Sequence, residues 1–170
     1  MTSSLPSQLQ NRPPFKVDWV LFNELALGIA PIEDRHTQRL INDGIKAVLS
    51  LCDESEAPPP ASLHSSLPCR RLVLPDHRTG RLPEFRELTE ALSILGELHS
   101  QYGAVFVHCV AAMERSPLVC LAWIVQNHRL SPTEALDYLM QVHPGTNPLP
   151  GQLALLHQLS QNRTNHSAES

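Results

Sequence analysis

The sequence predicts an α/β fold, a single domain with a mostly parallel central sheet flanked by helices. Three observations predict it. Short apolar, β-branched runs alternate along the chain with longer stretches whose leucines recur every three or four positions. The joints between them carry cap and turn residues, as strands followed by helices require. Finally, 170 residues with 42% hydrophobic content suit one sizeable core, and no internal repeat or low-complexity block suggests a second unit. Residues 15–162 are expected to form this domain, with a flexible N-terminal tail over 1–14 and a flexible C-terminal tail over 163–170.

Taken in order, residues 19–22 and 25–29 read as two short strands joined by a turn at Asn23 and Glu24. A helix is expected over 33–43, stopped by Gly44. Residues 45–51 then read as a buried strand. The stretch 53–68 is acidic, then rich in proline and serine, and is assigned as an exposed loop. Residues 71–74 form the next predicted strand. The helix over 83–100 follows, with Phe85, Leu88, Leu92, Leu95 and Leu98 in one buried stripe. Ala104-Val105-Phe106-Val107, preceded by Gly103, is a further buried strand. Ser116-Pro117 reads as an N-cap with proline at the first helical position, before the apolar run from Leu118 to Val125. Ser131-Pro132-Thr133-Glu134 is a capping box that opens a helix to about Val142, and 149–161 is the last helix.

The chemistry concentrates where the strand at 104–107 meets the helix after Ser116. The intervening residues, His108-Cys109-Val110-Ala111-Ala112-Met113-Glu114-Arg115-Ser116, place a cysteine, five spacers and an arginine in that joint. Unpaired main-chain N–H groups and the positive end of the helix dipole converge there on an anion. The same field favours the thiolate of Cys109. Arg115 offers a planar fork that holds two oxygens of a phosphoryl group. Ser116 is expected to position the sulfur when it leaves in a second step. The His108 ring is expected to face away from the anion and to brace the loop by hydrogen bonds rather than act as a base.

The His108-Cys109-x5-Arg115-Ser116 segment resembles the signature of the cysteine-dependent protein tyrosine phosphatase superfamily. Short loops and total length resemble its small, atypical dual-specificity phosphatase branch. The Trp19…Leu25-Ala26-Leu27-Gly28 pattern is similar to that family's opening hairpin. The resemblance implies a dual-specificity phosphatase-like fold and makes residues 15–162 a phosphatase catalytic domain. Its implied activity is hydrolysis of phosphate monoesters, phosphotyrosine and phosphoserine/threonine of proteins foremost, through a cysteinyl phosphate. A catalytically weak or inactive phosphate-binding module is the alternative. Chain order separates it from low-molecular-weight phosphatases, whose cysteine loop precedes the acid.

Phosphate esters leave poorly unless their bridging oxygen is protonated. Asp76, in Leu74-Pro75-Asp76-His77-Arg78-Thr79-Gly80, stands upstream of Cys109 at a spacing that resembles the family's mobile acid loop. The resemblance makes it general acid in the first step and general base toward water in the second. In His143-Pro144-Gly145-Thr146-Asn147-Pro148, Asn147 resembles the asparagine that braces the phosphate loop in relatives. Cys52 resembles a back-door cysteine that traps an oxidised nucleophile as a disulfide; a buried cysteine acting as a small apolar residue is the other reading. Cys69 and Cys120 are assigned as structural.

Two loop residues depart from the family pattern. Ala112 stands where glycine is usual, so a methyl group enters a tightly curled backbone. Glu114 either points outward or faces the substrate, where it repels highly anionic ligands. Phosphoinositide phosphatases of the superfamily tend to place lysine or arginine in this loop, and residues 110–114 have none, so the resemblance implies a phosphoprotein or simple phosphate monoester over inositol lipids, with Arg78 and Arg81 as other sources of charge.

Composition excludes several classes. The formal net charge is −4 and only two of thirteen basic residues are lysine, so there is no electrostatic footprint for nucleic acid. There is neither a run of eighteen apolar residues nor a basic amphipathic stretch, so no membrane partner is expected. The nine histidines are scattered without zinc-ligand spacing, so neither metal nor cofactor is expected. Four cysteines in a chain rich in apolar segments suit a reducing compartment. A cytoplasmic monomer acting on a phosphoprotein or small phosphate-monoester substrate is the resulting expectation.

Overall fold

The computed structural model describes residues 5–169. Its centre is a five-stranded sheet of order β1-β2-β5-β3-β4. The strands are β1 (Asp18–Leu21), β2 (Leu25–Gly28), β3 (Ala47–Ser50), β4 (Cys69–Arg71) and β5 (Val105–His108). Only β1 runs antiparallel, paired with β2 through a tight turn; the remaining ladders are parallel. Parallel neighbours need long crossovers, and the chain supplies them with α1 (Asp34–Asn42), α2 (Ala61–Ser66) and α3 (Phe85–Tyr102). Three more helices, α4 (Arg115–Asn127), α5 (Pro132–Val142) and α6 (Pro150–Ala168), follow the last strand.

Strand parity divides the core into two layers, because successive side chains point to opposite faces. Leu25, Leu27, Ala47, Leu49, Val105 and Val107 face α3, α4, α5 and α6. Ala26, Val48 and Phe106 face Leu40 of α1 and Leu63 of α2. With both faces covered, the central strands are buried throughout, which is why they read as continuous apolar runs. Helix α4 lies innermost and is buried from Arg115 to Val125, so it carries no polar stripe.

Four local expectations need correction. The loop assigned to 53–68 contains α2, docked on α1 by Ser62 Oγ, which donates to Asp34 Oδ1 at 2.7 Å and lies 2.9 Å from Thr37 Oγ1. A helix this short is held by tertiary contact rather than propensity, so its proline- and serine-rich sequence hid it. The strand expected at 71–74 lies at Cys69–Arg71; the apolar residues that suggested it report the burial of Leu74, not the ladder. The segment 163–170 was expected to be a tail, yet α6 continues to Ala168, with the Arg163 guanidinium donating to the Val125 carbonyl at the end of α4. The tail expected over 1–14 also carries structure in its described part. A 3-10 turn over Ser7–Leu9 buries Leu9 beside Ala30, Cys52, Ala57 and Val110. Residues 1–4 and 170 lie outside the described residues.

Among the described residues no helix is long and apolar enough to cross a membrane. The topology fixes the position of the site: β5 lies between β2 and β3, and the loops at the carboxyl ends of β3 and β5 adjoin. Open α/β sheets bind ligands at such an edge.

Candidate active site

The segment from Cys109 to Glu114 leaves β5 as a loop whose carbonyls are pulled outward. His108 Nδ1 meets the Cys109 carbonyl at 2.9 Å, the Ala30 amide donates to Val110 at 3.1 Å, His143 Nε2 meets Ala112 at 2.7 Å, and the Asn147 amide donates to Met113 at 2.7 Å. In a trans peptide the N–H points opposite the carbonyl. Four outward carbonyls therefore turn the amides of Val110, Ala111, Met113 and Glu114 inward, a ring of donors around Cys109.

His108 holds the base of this ring. Its Nε2 meets the Ser50 hydroxyl at 2.7 Å, and burial pushes its pKa down to about 4, so the ring is neutral at physiological pH. A neutral ring that donates from Nδ1 to the Cys109 carbonyl must accept at Nε2, which assigns the tautomer and makes Ser50 the donor. Ser50 sits opposite His108 in the β3–β5 register, so the brace follows from strand pairing.

Ser116 does not cap α4. The helix begins at Arg115 with Glu114 as its N-cap residue, and the buried Ser116 Oγ lies 3.3 Å from Cys109 Sγ. The serine is a sulfur partner instead, and Pro117 is tolerated because no intrahelical bond needs its N–H in the first turn.

Ala112 adopts φ 55°, the left-handed region that glycine tolerates and other residues resist. The loop thus keeps the curl expected of a glycine while carrying a buried methyl group. Ala112→Gly is expected to stabilise the domain by about 1 kcal/mol, raising Tm by roughly 2–4 °C in thermal unfolding. An unchanged or lower Tm would mean that the methyl's packing outweighs the backbone strain.

Arg115 is buried and reaches partners at the ends of β3 and β4. Its Nη1 donates to Glu56 Oε2 at 3.2 Å and to the Leu74 carbonyl at 3.2 Å, and its Nη2 donates to Glu56 Oε1 at 3.0 Å. Nη2 also lies 3.7 Å from Asp76 Oδ2. Burial opposes the charge, but the Glu56 hydrogen bonds and the surrounding anions raise the Arg115 pKa. Its Nε is buried without an acceptor, a donor that a phosphate oxygen would satisfy.

Glu56 was missed by sequence reading. It looks like its neighbours Asp53 and Glu54 in an acidic loop, and only the fold brings it to Arg115 and to Arg78 Nη2, 2.9 Å away. Burial works to raise its pKa, yet hydrogen bonds from Arg115 and the local main chain, with the charges of Arg115 and Arg78, hold it below the usual range.

Asp76 is buried on the acid loop. Its Oδ1 accepts from the Arg78 amide at 3.0 Å and its Oδ2 from Arg78 Nε at 2.8 Å. Desolvation favours the protonated form, but the Arg78 hydrogen bonds and the Arg115 charge prevail and lower its pKa. In this arrangement Asp76 is a carboxylate at neutral pH.

Glu114 does not point outward: it lines the cleft, as the second of the two readings has it, but is engaged there by the acid loop. Its Oε1 accepts from the His77 amide at 2.8 Å and lies 3.1 Å from His77 Nδ1, bridging the phosphate loop to the acid loop. Asp76, His77 and Glu114 bring three ligand atoms within 4.8 Å of one another. Arg78 donates to Asp76, and the His77 amide donates to Glu114.

Asn147 approaches the loop through its main-chain amide and is among the residues lining the cleft. The side-chain brace in that turn is His143, which joins Ala112 to Asp18, its Nδ1 lying 2.6 Å from Asp18 Oδ2. A histidine beside proline gave no local signal of this. Cys52 is buried at the end of β3 in a cluster with Val110. Burial, then the neighbouring Cys109, push its thiol up to about 11. Above the loop opens a cleft of about 480 Å³, flanked by Val110, Met113 and Leu149.

A mostly parallel sheet that presents a cysteine and an arginine five spacers apart, in an amide ring at the carboxyl end of a central strand, defines a cysteine-dependent phosphatase. The model of the family described as dual specificity phosphatase, catalytic domain, matches residues 32–162, and the chain belongs to that family. Dual specificity protein phosphatase 2 of Mus musculus is 40% identical over 52 residues, 31% of this chain and 16% of that protein. Phosphatidylglycerophosphate phosphatase PTPMT2 of Arabidopsis thaliana is 24% identical over 161 residues, 91% of this chain and 70% of its own. Phosphatidylglycerophosphatase and protein-tyrosine phosphatase 1 of Homo sapiens is 26% identical over 136 residues, 76% of this chain and 66% of its own. The chain thus spans a small part of the first relative and about two thirds of the other two. Among solved structures, PTPMT1 superposes with a TM-score of 0.76 at 21% identity, covering 91% of this chain and all of that one. Human DUSP28(Y102H) gives 0.71 at 20%, covering 91% and 99%. At such identities the likeness establishes the fold.

Proposed function

We propose that this domain hydrolyses phosphate monoesters through a cysteinyl-phosphate intermediate. The observation that carries the reading is that the carbonyls of Cys109, Val110, Ala112 and Met113 are all engaged elsewhere, which frees the amides that follow them for an anion at Cys109, together with the buried Arg115 Nε that has no acceptor. Such preorganised donors stabilise the charge that develops on equatorial phosphoryl oxygens. Cys109 Sγ attacks phosphorus as the ester oxygen leaves, with Asp76 donating its proton. Water then attacks the cysteinyl phosphate, Asp76 accepts a proton from it, and Ser116 Oγ donates to the departing sulfur.

Phosphotyrosine and phosphoserine/threonine of proteins are the favoured substrates. The cleft combines apolar Val110, Met113 and Leu149 with the carboxylates of Asp76 and Glu114, which repel a polyanion, and the two arginines available to a polyanionic headgroup are already paired. Arg78 holds Asp76 and Glu56, and Arg81 Nη1 donates to Glu87 at 2.6 Å. Two relatives are named for phosphatidylglycerophosphate, and one solved structure is PTPMT1 in complex with PI(5)P, so phospholipids are the competing class. The strained Ala112 and the ionised Asp76 favour the second reading, a phosphate-binding module without turnover. Rapid acid quench of a reaction with an aryl phosphate, followed by peptide mass spectrometry, decides between them. A phosphoryl adduct on Cys109 is expected; binding of phosphate without adduct or turnover would overturn the enzymatic reading.

All four cysteines are free thiols, which suits the reducing cytoplasm. Peroxide oxidises Cys109 sulfur to a sulfenic acid, and attack by Cys52 sulfur then expels water and leaves a disulfide. Mass spectrometry after peroxide treatment is expected to find the Cys52–Cys109 link. Overoxidised Cys109 beside an unmodified Cys52 would leave Cys52 as a packing residue.

A further inference from the structure

We infer that Glu114 is a positioning residue that latches the acid loop onto the phosphate loop through the main-chain amide of His77. The inference rests on the proposed phosphatase reading for its kinetic consequence and on geometry alone for its structural one.

A carboxylate in a loop built for an anion is unfavourable unless it has partners of its own. Glu114 has them across the site rather than within its loop: Oε1 accepts from His77 N at 2.8 Å and lies 3.1 Å from His77 Nδ1. The carboxylate is mostly buried, whereas the His77 side chain is 64% exposed. The amide, fixed by the backbone, is therefore the durable donor.

His77 follows Asp76 directly, so holding its N–H fixes the peptide plane that carries the acid. The rest of the turn is internally tied. Asp76 Oδ1 accepts from the Arg78 amide, and the Asp76 carbonyl accepts from Thr79 N at 3.1 Å and Thr79 Oγ1 at 2.8 Å. The loop thus behaves as one rigid turn, joined to the nucleophile's loop at Glu114. Arg115, the next residue after Glu114, faces Asp76 Oδ2 and Glu56, so one short segment places both the arginine and the acid. A latch of this kind sets where the leaving oxygen meets its proton, and a displacement of about 1 Å suffices to slow such transfer strongly.

The test separates placement from charge and from folding. Glu114→Ala is expected to lower kcat on a phosphoserine peptide, a poor leaving group, by about tenfold or more, and on an activated aryl phosphate by only about two- to threefold. Inhibition by inorganic phosphate should keep its strength. Glu114→Gln removes the charge but keeps an oxygen for the His77 amide, so it should restore most of the loss. His77→Ala should resemble wild type, and His77→Pro, which deletes the amide donor at a first-turn position that proline tolerates, should resemble Glu114→Ala. Hydrogen exchange of the amides at 77–80 should accelerate in Glu114→Ala and not in Glu114→Gln. Equal losses on both substrates, a glutamine variant as slow as alanine, or unchanged exchange in Glu114→Ala would each overturn the latch. An inactive wild-type protein would overturn the phosphatase reading instead, and exchange would still decide the latch.

Discussion

Cys109→Ser is expected to abolish hydrolysis of an aryl phosphate, lowering kcat by on the order of 10⁴-fold or more, while phosphate binding survives. A serine hydroxyl is a far weaker nucleophile than a cysteine sulfur. Binding survives because the ring does not depend on sulfur. Its amides are aimed by carbonyls anchored to Ala30, His108, His143 and Asn147, and Arg115 is held by Glu56 and the Leu74 carbonyl. Isothermal titration with phosphate beside the kinetic assay separates the two effects. Turnover near the wild-type rate would remove Cys109 from the mechanism, and loss of both binding and turnover would show that the sulfur is structural.

Asp76→Asn is expected to slow turnover of poor leaving groups by about 10²–10⁴-fold and of activated aryl phosphates by about tenfold or less. The carboxyl must carry a proton to serve as acid, yet in the free enzyme Arg78 and Arg115 hold its pKa down. A phosphoryl dianion beside Asp76 opposes ionisation and competes for Arg115, so the bound substrate itself raises the acid's proton affinity. In wild type, kcat on a poor leaving group should therefore fall as pH rises past the value for the complex. That basic limb should vanish in Asp76→Asn. For stability the sign is the usual one for a lowered carboxyl. The stabilisation is present above the unfolded pKa of about 3.9 and is lost as pH falls through the folded value, so Asp76→Asn should also lose part of wild type's acid-induced destabilisation. Equal losses on both substrate classes with an unchanged pH profile would remove Asp76 from proton transfer.

Much of this site is legible along the chain because its parts are local. The nucleophile, the arginine and the helix start fall within nine residues, and the acid sits in its own turn. Ser131 and Glu134 form the expected capping box, with Ser131 Oγ accepting from the Glu134 amide at 3.1 Å. Side chains whose partners are far away in sequence resist such reading. Ser116 looks like a cap because serine before proline often is one, but the fold sets its hydroxyl against Cys109. Glu114 looks like a charge with two directions open to it, and the direction it takes depends on His77, 37 residues away.

The sequence by itself determined the alternation of strands and helices, the two-faced burial of the central strands, and the placement of Cys109 and Arg115 at a strand-to-helix joint. Periodicity and capping act over one or two turns, so they are written in consecutive residues. Only the tertiary structure decided that Glu56 holds Arg115, that His143 rather than the Asn147 side chain braces the loop, and that Glu114 ties the acid loop down. Those contacts close chain separations of 59, 31 and 37 residues, and no local preference distinguishes Glu56 from Glu54 until the sheet has brought the ends of β3 and β5 together.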